Sequence, residues 1–445
     1  MSVKAVSAKH IAKAKNTVVK ALKKTPLKPL WWRAKHIAPI RLIRHTLKDM
    51  HQDKLVNEWY PEIYSRHSSE PVDESKVIII ENALTGLSSS FRLLYRDLKA
   101  SGKYRIHVHH IGRNLVHANE HDINGARLAY DLGTARYVFL SDECVALSCV
   151  PLRPETTVVQ LWHGCGAFKR FGRSTLDLKF GANQDHIDRY PRYKNYSLVT
   201  VSSPDVVWAY EDAMGLKGQN IVRPIGISRT DVFFDPEYLA KAPERVYQEV
   251  PQARGKRVVL YAPTFRGRIA IAETPDYLQF DLRKLKEVLG DDVLILIKHH
   301  PIVKEYHMPR IPEDLDGSFA VDVTHTLSIE DLMITADVCI TDYSSLIFEY
   351  SLLDKPLIFY VYDLEKYFDW RGFYYDFEEL TPGPVCRTME ELGQAVRVSL
   401  TSGESFDSEK MKAFRRKFMA SCDGHATKRI EEWVFGESGL KETII

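Results

Sequence analysis

The feature that most restricts how this 445-residue chain can fold is a double series of short apolar runs, each followed by a helical stretch. The first series is Val77–Ile80, Ile106–Ile111, Tyr137–Leu140, Thr157–Leu161 and Leu198–Val201. The second opens after Pro224-Ile225-Gly226 and comprises Val258–Tyr261, Val293–Ile297, Phe319–Val323, Val338–Ile340 and Leu357–Tyr360. Short runs apolar at consecutive positions suit strands covered on both faces, and strands separated by helices pair in parallel. Helices are read at Phe91–Leu98, behind a loop with Gly86 and Ser88–Ser90, and at Ile329–Ala336, where Ser328-Ile329-Glu330-Asp331 forms a capping-box start. Two such units of similar size predict two doubly wound, Rossmann-like domains, over residues 51–225 and 226–405, with ligands at the strand C-termini. A segment over 1–50 precedes them, and helices over 406–445 follow.

Charge is divided unevenly along the chain. Residues 1–48 carry 13 Lys and Arg with no Asp or Glu, which leaves 48 basic against 59 acidic residues in the rest. Within this arm Ile11, Ala14, Val18 and Leu22 follow helical spacing, and Trp31 and Trp32 precede Ile37, Ile40, Ile43 and Leu47 among Arg33, Lys35, Arg41 and Arg44. A basic amphipathic helical segment with tryptophans suits the surface of an anionic membrane; a solvated tail or a nucleic-acid patch are the other readings. No apolar run approaches the ~18–20 residues of a membrane span, and no signal-peptide core is present. The expected location is therefore the cytoplasmic face of the membrane, as a peripheral protein. The six cysteines lack C-x-x-C spacing, which suits reduced thiols better than disulfides or a zinc site.

Three loops of the second unit carry polar residues directly after strands. Val338-Cys339-Ile340-Thr341-Asp342-Tyr343-Ser344-Ser345-Leu346-Ile347-Phe348-Glu349-Tyr350 reads as strand, polar turn and helix. Small hydroxyl residues there admit a phosphate to the helix N-terminus, or they only cap the helix. Tyr261-Ala262-Pro263-Thr264-Phe265-Arg266 and Lys298-His299-His300-Pro301 end at the same sheet edge, where Arg266 and His300 suit a diphosphate. In the first unit His163 follows the strand that ends in Gln160-Leu161, and Gly164-Cys165-Gly166-Ala167-Phe168-Lys169-Arg170 is flexible, then basic. A histidine so placed either accepts a proton from an attacking hydroxyl or serves structure alone.

Taken in order, Gln160-Leu161-Trp162-His163-Gly164, Tyr261-Ala262-Pro263-Thr264-Phe265-Arg266, Lys298-x-His300-Pro301, Thr341-Asp342-Tyr343-Ser344-Ser345 and Arg371-Gly372-Phe373-Tyr374-Tyr375-Asp376 resemble the CDP-glycerol glycerophosphotransferase family of teichoic acid synthesis. The resemblance runs from about Val77 to Phe435 and includes Asp423-Gly424 before the last helix. It implies a GT-B-like fold whose two Rossmann-like domains face a cleft, the first holding the acceptor and the second the donor. It implies His163 as the catalytic base and Arg266, His300, Thr341, Ser344, Ser345 and Glu349 as donor ligands, Glu349 toward a ribose hydroxyl. Trp162, Gly164, Lys169 and Arg170 fall on the acceptor side. The Trp162-His163 loop looks closer to the priming enzymes than to the polymerases. Gly226-Ile227-Ser228-Arg229-Thr230-Asp231 has Ser228 where the family often has proline, which leaves Arg229 without a role.

The implied reaction moves glycerol phosphate from CDP-glycerol to a hydroxyl of an undecaprenyl-diphosphate-linked disaccharide, releasing CMP. Other teichoic acid enzymes are possible partners, and nucleic acid is not expected. No Asp-x-Asp motif lies near the donor loops, so no cofactor or divalent metal is expected to be required. Three rivals stay open: a glycerol- or ribitol-phosphate polymerase, a GT-B enzyme using a nucleotide sugar, and a noncatalytic binding protein on the same scaffold.

Overall fold

The computed structural model describes residues 38–82, 86–112, 118–176, 178, 183–266, 279–300, 303, 308–365, 367, 372–401 and 408–436. The basic arm over residues 1–37 and Arg371 lie outside the described residues, as does Pro301. The chain enters along the helix Ala38–Lys54, passes a wide π turn at Leu55–Trp59 and continues through the helix Tyr60–His67.

Two parallel six-stranded sheets follow. The first contains β1 (Asp73–Glu81), β2 (Arg105–His110), β3 (Ala135–Leu140), β4 (Thr157–Gln160), β5 (Leu198–Thr200) and β6 (Val222–Arg223), in the order β2-β1-β3-β4-β5-β6. The second contains β7 (Arg257–Tyr261), β8 (Val293–Ile297), β9 (Ala320–Asp322), β10 (Val338–Thr341), β11 (Leu357–Tyr360) and β12 (Val385–Cys386), in the order β12-β11-β10-β7-β8-β9. Every strand read from the sequence is present. β6 and β12, two residues each, are too short to leave a periodic signal. Each sheet reverses its winding once, between β1 and β3 in the first and between β7 and β10 in the second. Such switch points open a crevice beyond the strand C-termini, where ligands of doubly wound folds bind.

The pleat explains the continuous apolar runs. Val77 and Ile79 point into one core layer with Phe91, Leu94 and Leu98 of the helix Ser89–Ser101, while Ile78 and Ile80 point into the opposite layer. In the second sheet Val259, Ile295 and Ile340 face Leu285, Leu392 and Val396, and Val258, Leu260, Leu294 and Leu296 face the other way. With both faces covered, alternate positions are equally apolar and the period-two signal disappears.

The last helix, Ala426–Phe435, crosses back to the first sheet. Ile430 joins the Val77–Phe91 core, and the Phe435 ring packs 4.8 Å from Tyr137 and 5.0 Å from Tyr104. Asp231 caps this helix from a distant segment, accepting from the amides of Ala426 at 3.1 Å and Thr427 at 2.7 Å. The two lobes so joined face each other across a cleft in a GT-B-like arrangement. No described helix is long and apolar enough to cross a membrane.

Candidate active site

The second-lobe wall of the cleft is built where β7 and β10 lie side by side at the switch point. Thr341 is fully buried, and its hydroxyl donates to the Ala262 carbonyl at 2.7 Å, locking the two strand ends together. Asp342 accepts from the amides of Thr264 at 2.8 Å and Tyr343 at 2.6 Å. Arg266 completes the frame: Nη1 meets Asp342 at 2.9 Å, and Nε and Nη2 meet Asp363 at 2.7 and 3.0 Å. Its guanidinium also lies 5.1 and 5.0 Å from the Tyr343 and Tyr367 ring centres. Burial works against that charge, yet Asp342 and Asp363 outweigh it and hold the pKa above the ordinary arginine range. Thr341 and Arg266, read from the sequence as donor ligands, therefore have their polar groups committed to bracing the loops and do not line the cleft.

The cleft itself encloses about 420 Å³. His163 and Lys169 reach it from the first lobe; His300, Ser344, Ser345 and Glu349 reach it from the second. Six of the residues singled out by sequence thus converge on one space, although His163 and Glu349 are far apart in the chain. Trp162, Gly164 and Arg170 are not among the lining residues. The lobes touch along the same loop. Arg170 donates its amide to the Gly372 carbonyl at 3.2 Å, Tyr374 donates to the Phe168 carbonyl at 3.1 Å, and Lys169 reaches the Tyr367 hydroxyl at 3.4 Å. Gly166 holds φ +60°, and a Cβ there would stand 2.3 Å from the Phe348 ring, so this crossing needs glycine twice over.

His163 is presented by a strained turn. Trp162 has φ +57°, an unfavourable backbone for a bulky side chain, and several contacts hold it there. Its amide donates to buried Gln160 at 3.0 Å, its carbonyl accepts from Ser90 at 3.1 Å, and its ring packs 4.9 Å from Phe171. The indole stacks on the His163 imidazole at 4.5 Å. His163 Nδ1 lies 2.8 Å from the Ser141 carbonyl, which can only accept, so Nδ1 carries the proton and Nε2 keeps a free lone pair. This tautomer is the one a general base requires.

Arg229, which the sequence left without a role, joins the lobes beneath this turn. Nη1 donates to the His163 carbonyl at 2.7 Å, Nη2 to Glu330 at 3.2 Å, and Nε stands 3.6 Å from Glu349. Burial opposes its charge, but Glu349 and Glu330 keep its pKa raised. Burial likewise raises Glu349, with Arg229 pulling the other way. Glu349 thus turns Oε1 toward Arg229, while its other oxygen, Oε2, has no hydrogen-bond partner among the described residues. Among the described residues, four buried polar atoms of the lining lack a hydrogen-bond partner: Arg229 Nε, Thr264 Oγ1, His299 Nδ1 and Glu349 Oε2. Thr264 and His299 were not singled out by sequence, because a threonine in an extended loop and a histidine beside another histidine carry no distinctive spacing. Among the described residues no group of His, Cys, Asp and Glu is arranged to hold a metal ion.

Comparison with known proteins places this geometry. The family model described as CDP-Glycerol:Poly(glycerophosphate) glycerophosphotransferase matches residues 62–436. A teichoic acid ribitol-phosphate primase of Bacillus spizizenii is 34% identical over 367 residues, which is 82% of this chain and 92% of that protein. A teichoic acid glycerol-phosphate primase of the same species is 29% identical, covering 71% of this chain and 78% of its own. The ribitol-phosphate polymerase TarL of Staphylococcus aureus is 32% identical over 81% of this chain, which spans only 62% of TarL. Among solved structures, the wall teichoic acid polymerase TagF superposes with a TM-score of 0.66 at 23% identity, covering 89% of this chain and 97% of that one. A UDP-N-acetylglucosamine 2-epimerase superposes with a TM-score of 0.50 at 12% identity, over 84% of this chain and 99% of its own. At such identities the structures speak for the GT-B-like fold, and the sequence match speaks for kinship: the chain belongs to the CDP-glycerol:poly(glycerophosphate) glycerophosphotransferase family.

Proposed function

We propose that this chain is a polyol-phosphate transferase of teichoic acid synthesis that primes a lipid-linked acceptor at the membrane surface, using a CDP-polyol donor. The carrying observation is His163, whose Nε2 lone pair is freed by the Nδ1 bond to Ser141 on the wall opposite Ser344, Ser345 and His300. The acceptor hydroxyl attacks the phosphorus that bears the polyol, and its proton passes to His163 Nε2. The new O–P bond forms as the bond to the bridging oxygen breaks, and CMP departs with the electron pair. Charge developing on that leaving phosphate needs preorganised donors, which His300, Lys169 and the Ser344 and Ser345 hydroxyls supply.

Priming is favoured by the Trp162-His163 loop, which looks closer to the priming enzymes, and by the 34% identity to a ribitol-phosphate primase. The sequence reading expects glycerol phosphate. The 34% identity to a ribitol-phosphate primase supports ribitol phosphate instead, and we take CDP-ribitol as the donor. The deciding experiment incubates the full-length protein with a lipid-linked disaccharide, with and without a first glycerol phosphate, and either CDP-ribitol or CDP-glycerol. Mass spectrometry of the lipid should show one added ribitol phosphate and stoichiometric CMP. A single glycerol phosphate would restore the glycerol reading, a long ladder would identify a polymerase, and release of a nucleoside diphosphate from a nucleotide sugar would overturn the reaction class.

A further inference from the structure

Gln160 ends β4 and is fully buried, yet its carboxamide makes three hydrogen bonds. Oε1 accepts from the Trp162 amide at 3.0 Å. Nε2 donates to the Asp142 carbonyl at 2.9 Å and to the Tyr196 hydroxyl at 3.2 Å. A main-chain amide can only donate and a main-chain carbonyl can only accept, so these partners fix which way the carboxamide points. The position calls for an acceptor and a donor on one planar group. A hydrocarbon side chain offers neither, and an ionised carboxylate offers no donor.

The two main-chain partners bear on His163 from different directions. The Trp162 amide belongs to the turn, with φ +57°, that presents the ring. The Asp142 carbonyl lies one residue beyond Ser141, whose own carbonyl meets His163 Nδ1 at 2.8 Å. The Asp142 carboxylate is held in turn by Asn82 Nδ2 at 2.8 Å and the Glu143 amide at 2.7 Å. Other peptide groups of the turn have partners of their own. The Leu161 amide donates to Leu140 at 2.7 Å, the Leu161 carbonyl accepts from Thr200 at 3.1 Å, and the Trp162 carbonyl accepts from Ser90 at 3.1 Å. Those contacts hold the turn in place, whereas Gln160 joins the turn to the segment that orients the ring. If the end of β3 and the turn after β4 shifted apart, Nδ1 would lose its carbonyl, and with it the hydrogen bond that selects the tautomer. We propose that Gln160 is a positioning residue for the transfer reaction, clamping the His163 turn to the Ser141-Asp142 segment so that Nε2 stays unprotonated and aimed into the cleft. This role rests on the reading of His163 as the general base and adds to it the side chain that keeps the base in register.

Two substitutions in the full-length protein test it. Gln160→Met keeps the length and loses the hydrogen bonds. Gln160→Glu keeps the shape, and its carboxyl both accepts from Trp162 and donates to Asp142 when protonated, but cannot donate once ionised. Burial favours the protonated form, so the donor is present at acid pH and lost as pH rises. Turnover with CDP-ribitol or CDP-glycerol is followed across the neutral range, beside CMP affinity by calorimetry and thermal melts that establish folding. Gln160→Met should lower turnover by roughly 100-fold at every pH, the scale of a displacement of about 1 Å, with CMP affinity unchanged. For Gln160→Glu the turnover relative to wild type should approach unity at acid pH and fall toward the Gln160→Met value as pH rises. Ionisation of His163 acts in both proteins and cancels in that ratio. Wild-type turnover in either folded variant at alkaline pH overturns the clamp and leaves the functional reading standing. A pH-independent ratio for Gln160→Glu, or CMP affinity that falls in step with turnover, also overturns it. Should Gln160→Met not fold, Gln160→Glu decides alone, and failure of both to fold would assign Gln160 to the fold and overturn the role. If the wild type releases no CMP from either donor, the functional reading fails and the clamp with it.

Discussion

Arg229 Nη1 donates to the main-chain carbonyl of His163 across 2.7 Å, so one side chain fixes the backbone of the proposed base while the Ser141 carbonyl fixes its ring. The same guanidinium reaches Glu330 and Glu349 in the other lobe. Its position therefore couples the His163 turn to the second-lobe helices Ile329–Thr335 and Leu346–Tyr350.

Replacing Arg229 by Ala should have two separable effects. Two buried carboxylates lose their counter-charge, which costs on the order of 3–5 kcal/mol of stability. The His163 turn also loses its anchor, and a displacement of about 1 Å there lowers turnover by ~100-fold. Adding Glu349→Gln to Arg229→Ala should recover part of the melting temperature without recovering turnover. Steady-state rates beside thermal melts decide it: wild-type turnover in a folded Arg229→Ala protein would remove the positioning role.

The fold was legible because each buried strand is an apolar run and each polar loop begins where a run stops. What those loops do with their polar groups was less legible. Arg266 reads as a diphosphate ligand from its motif, yet Asp363 lies 97 positions away and nothing in the spacing announces that the two meet. Glu349 reads as a donor ligand by resemblance, but its partner Arg229 comes from the inter-lobe segment, and only the folded chain brings them together. His163 was found because it follows a strand; its tautomer depends on a carbonyl at the end of β3, which no motif encodes.

For His163 the expectation is a loss of chemistry without a loss of donor binding. His163→Ala should reduce turnover by roughly 10²–10⁴-fold, the usual scale for a missing general base. CMP affinity by calorimetry should be unchanged, since the ring stands on the first-lobe wall, opposite the proposed donor residues. Turnover within experimental scatter of the wild type would exclude it as the base.

Arg266 is expected to behave as a brace. Arg266→Ala strands Asp342 and Asp363 around a buried gap, so the melting temperature should drop by the equivalent of about 3–5 kcal/mol. Arg266→Lys keeps the charge but not the planar fork that spans two carboxylates and two tyrosine rings, so it should melt early as well. If either variant melted like the wild type and lost only donor affinity, the side chain would be a direct ligand after all.

The N-terminal arm is expected to hold the protein at anionic membranes. Leu47 and Met50 stand 52% and 61% exposed one turn apart, next to Lys48, and continue the basic amphipathic pattern of the preceding residues. Each Lys or Arg near such a surface contributes on the order of 1 kcal/mol, screened by salt, whereas inserted apolar side chains resist salt. Deleting residues 1–50 should abolish sedimentation with phosphatidylglycerol vesicles, and high salt should release the full-length chain only in part. A truncated protein that pellets as fully as the intact one would move the anchor into the body.

Glu431 makes stability depend on pH in a direction opposite to most carboxylates. It lies partly buried on the last helix, and burial, then the neighbouring Asp97 carboxylate, push its pKa up to about 8, against the pull of Arg96. The unfolded chain releases this proton near the ordinary glutamate value, about 4.3. Between those two values the folded state holds a proton that the unfolded state has lost, so raising pH across the window favours unfolding. The contribution is complete below about 4 and gone above about 8. Glu431→Gln cannot release the proton, so its melting temperature should exceed that of the wild type most at alkaline pH, and the two curves should converge toward pH 4. Other groups titrate in both proteins and cancel in the difference. Parallel melting curves for the two proteins from pH 5 to 9 would show that Glu431 ionises normally in the fold.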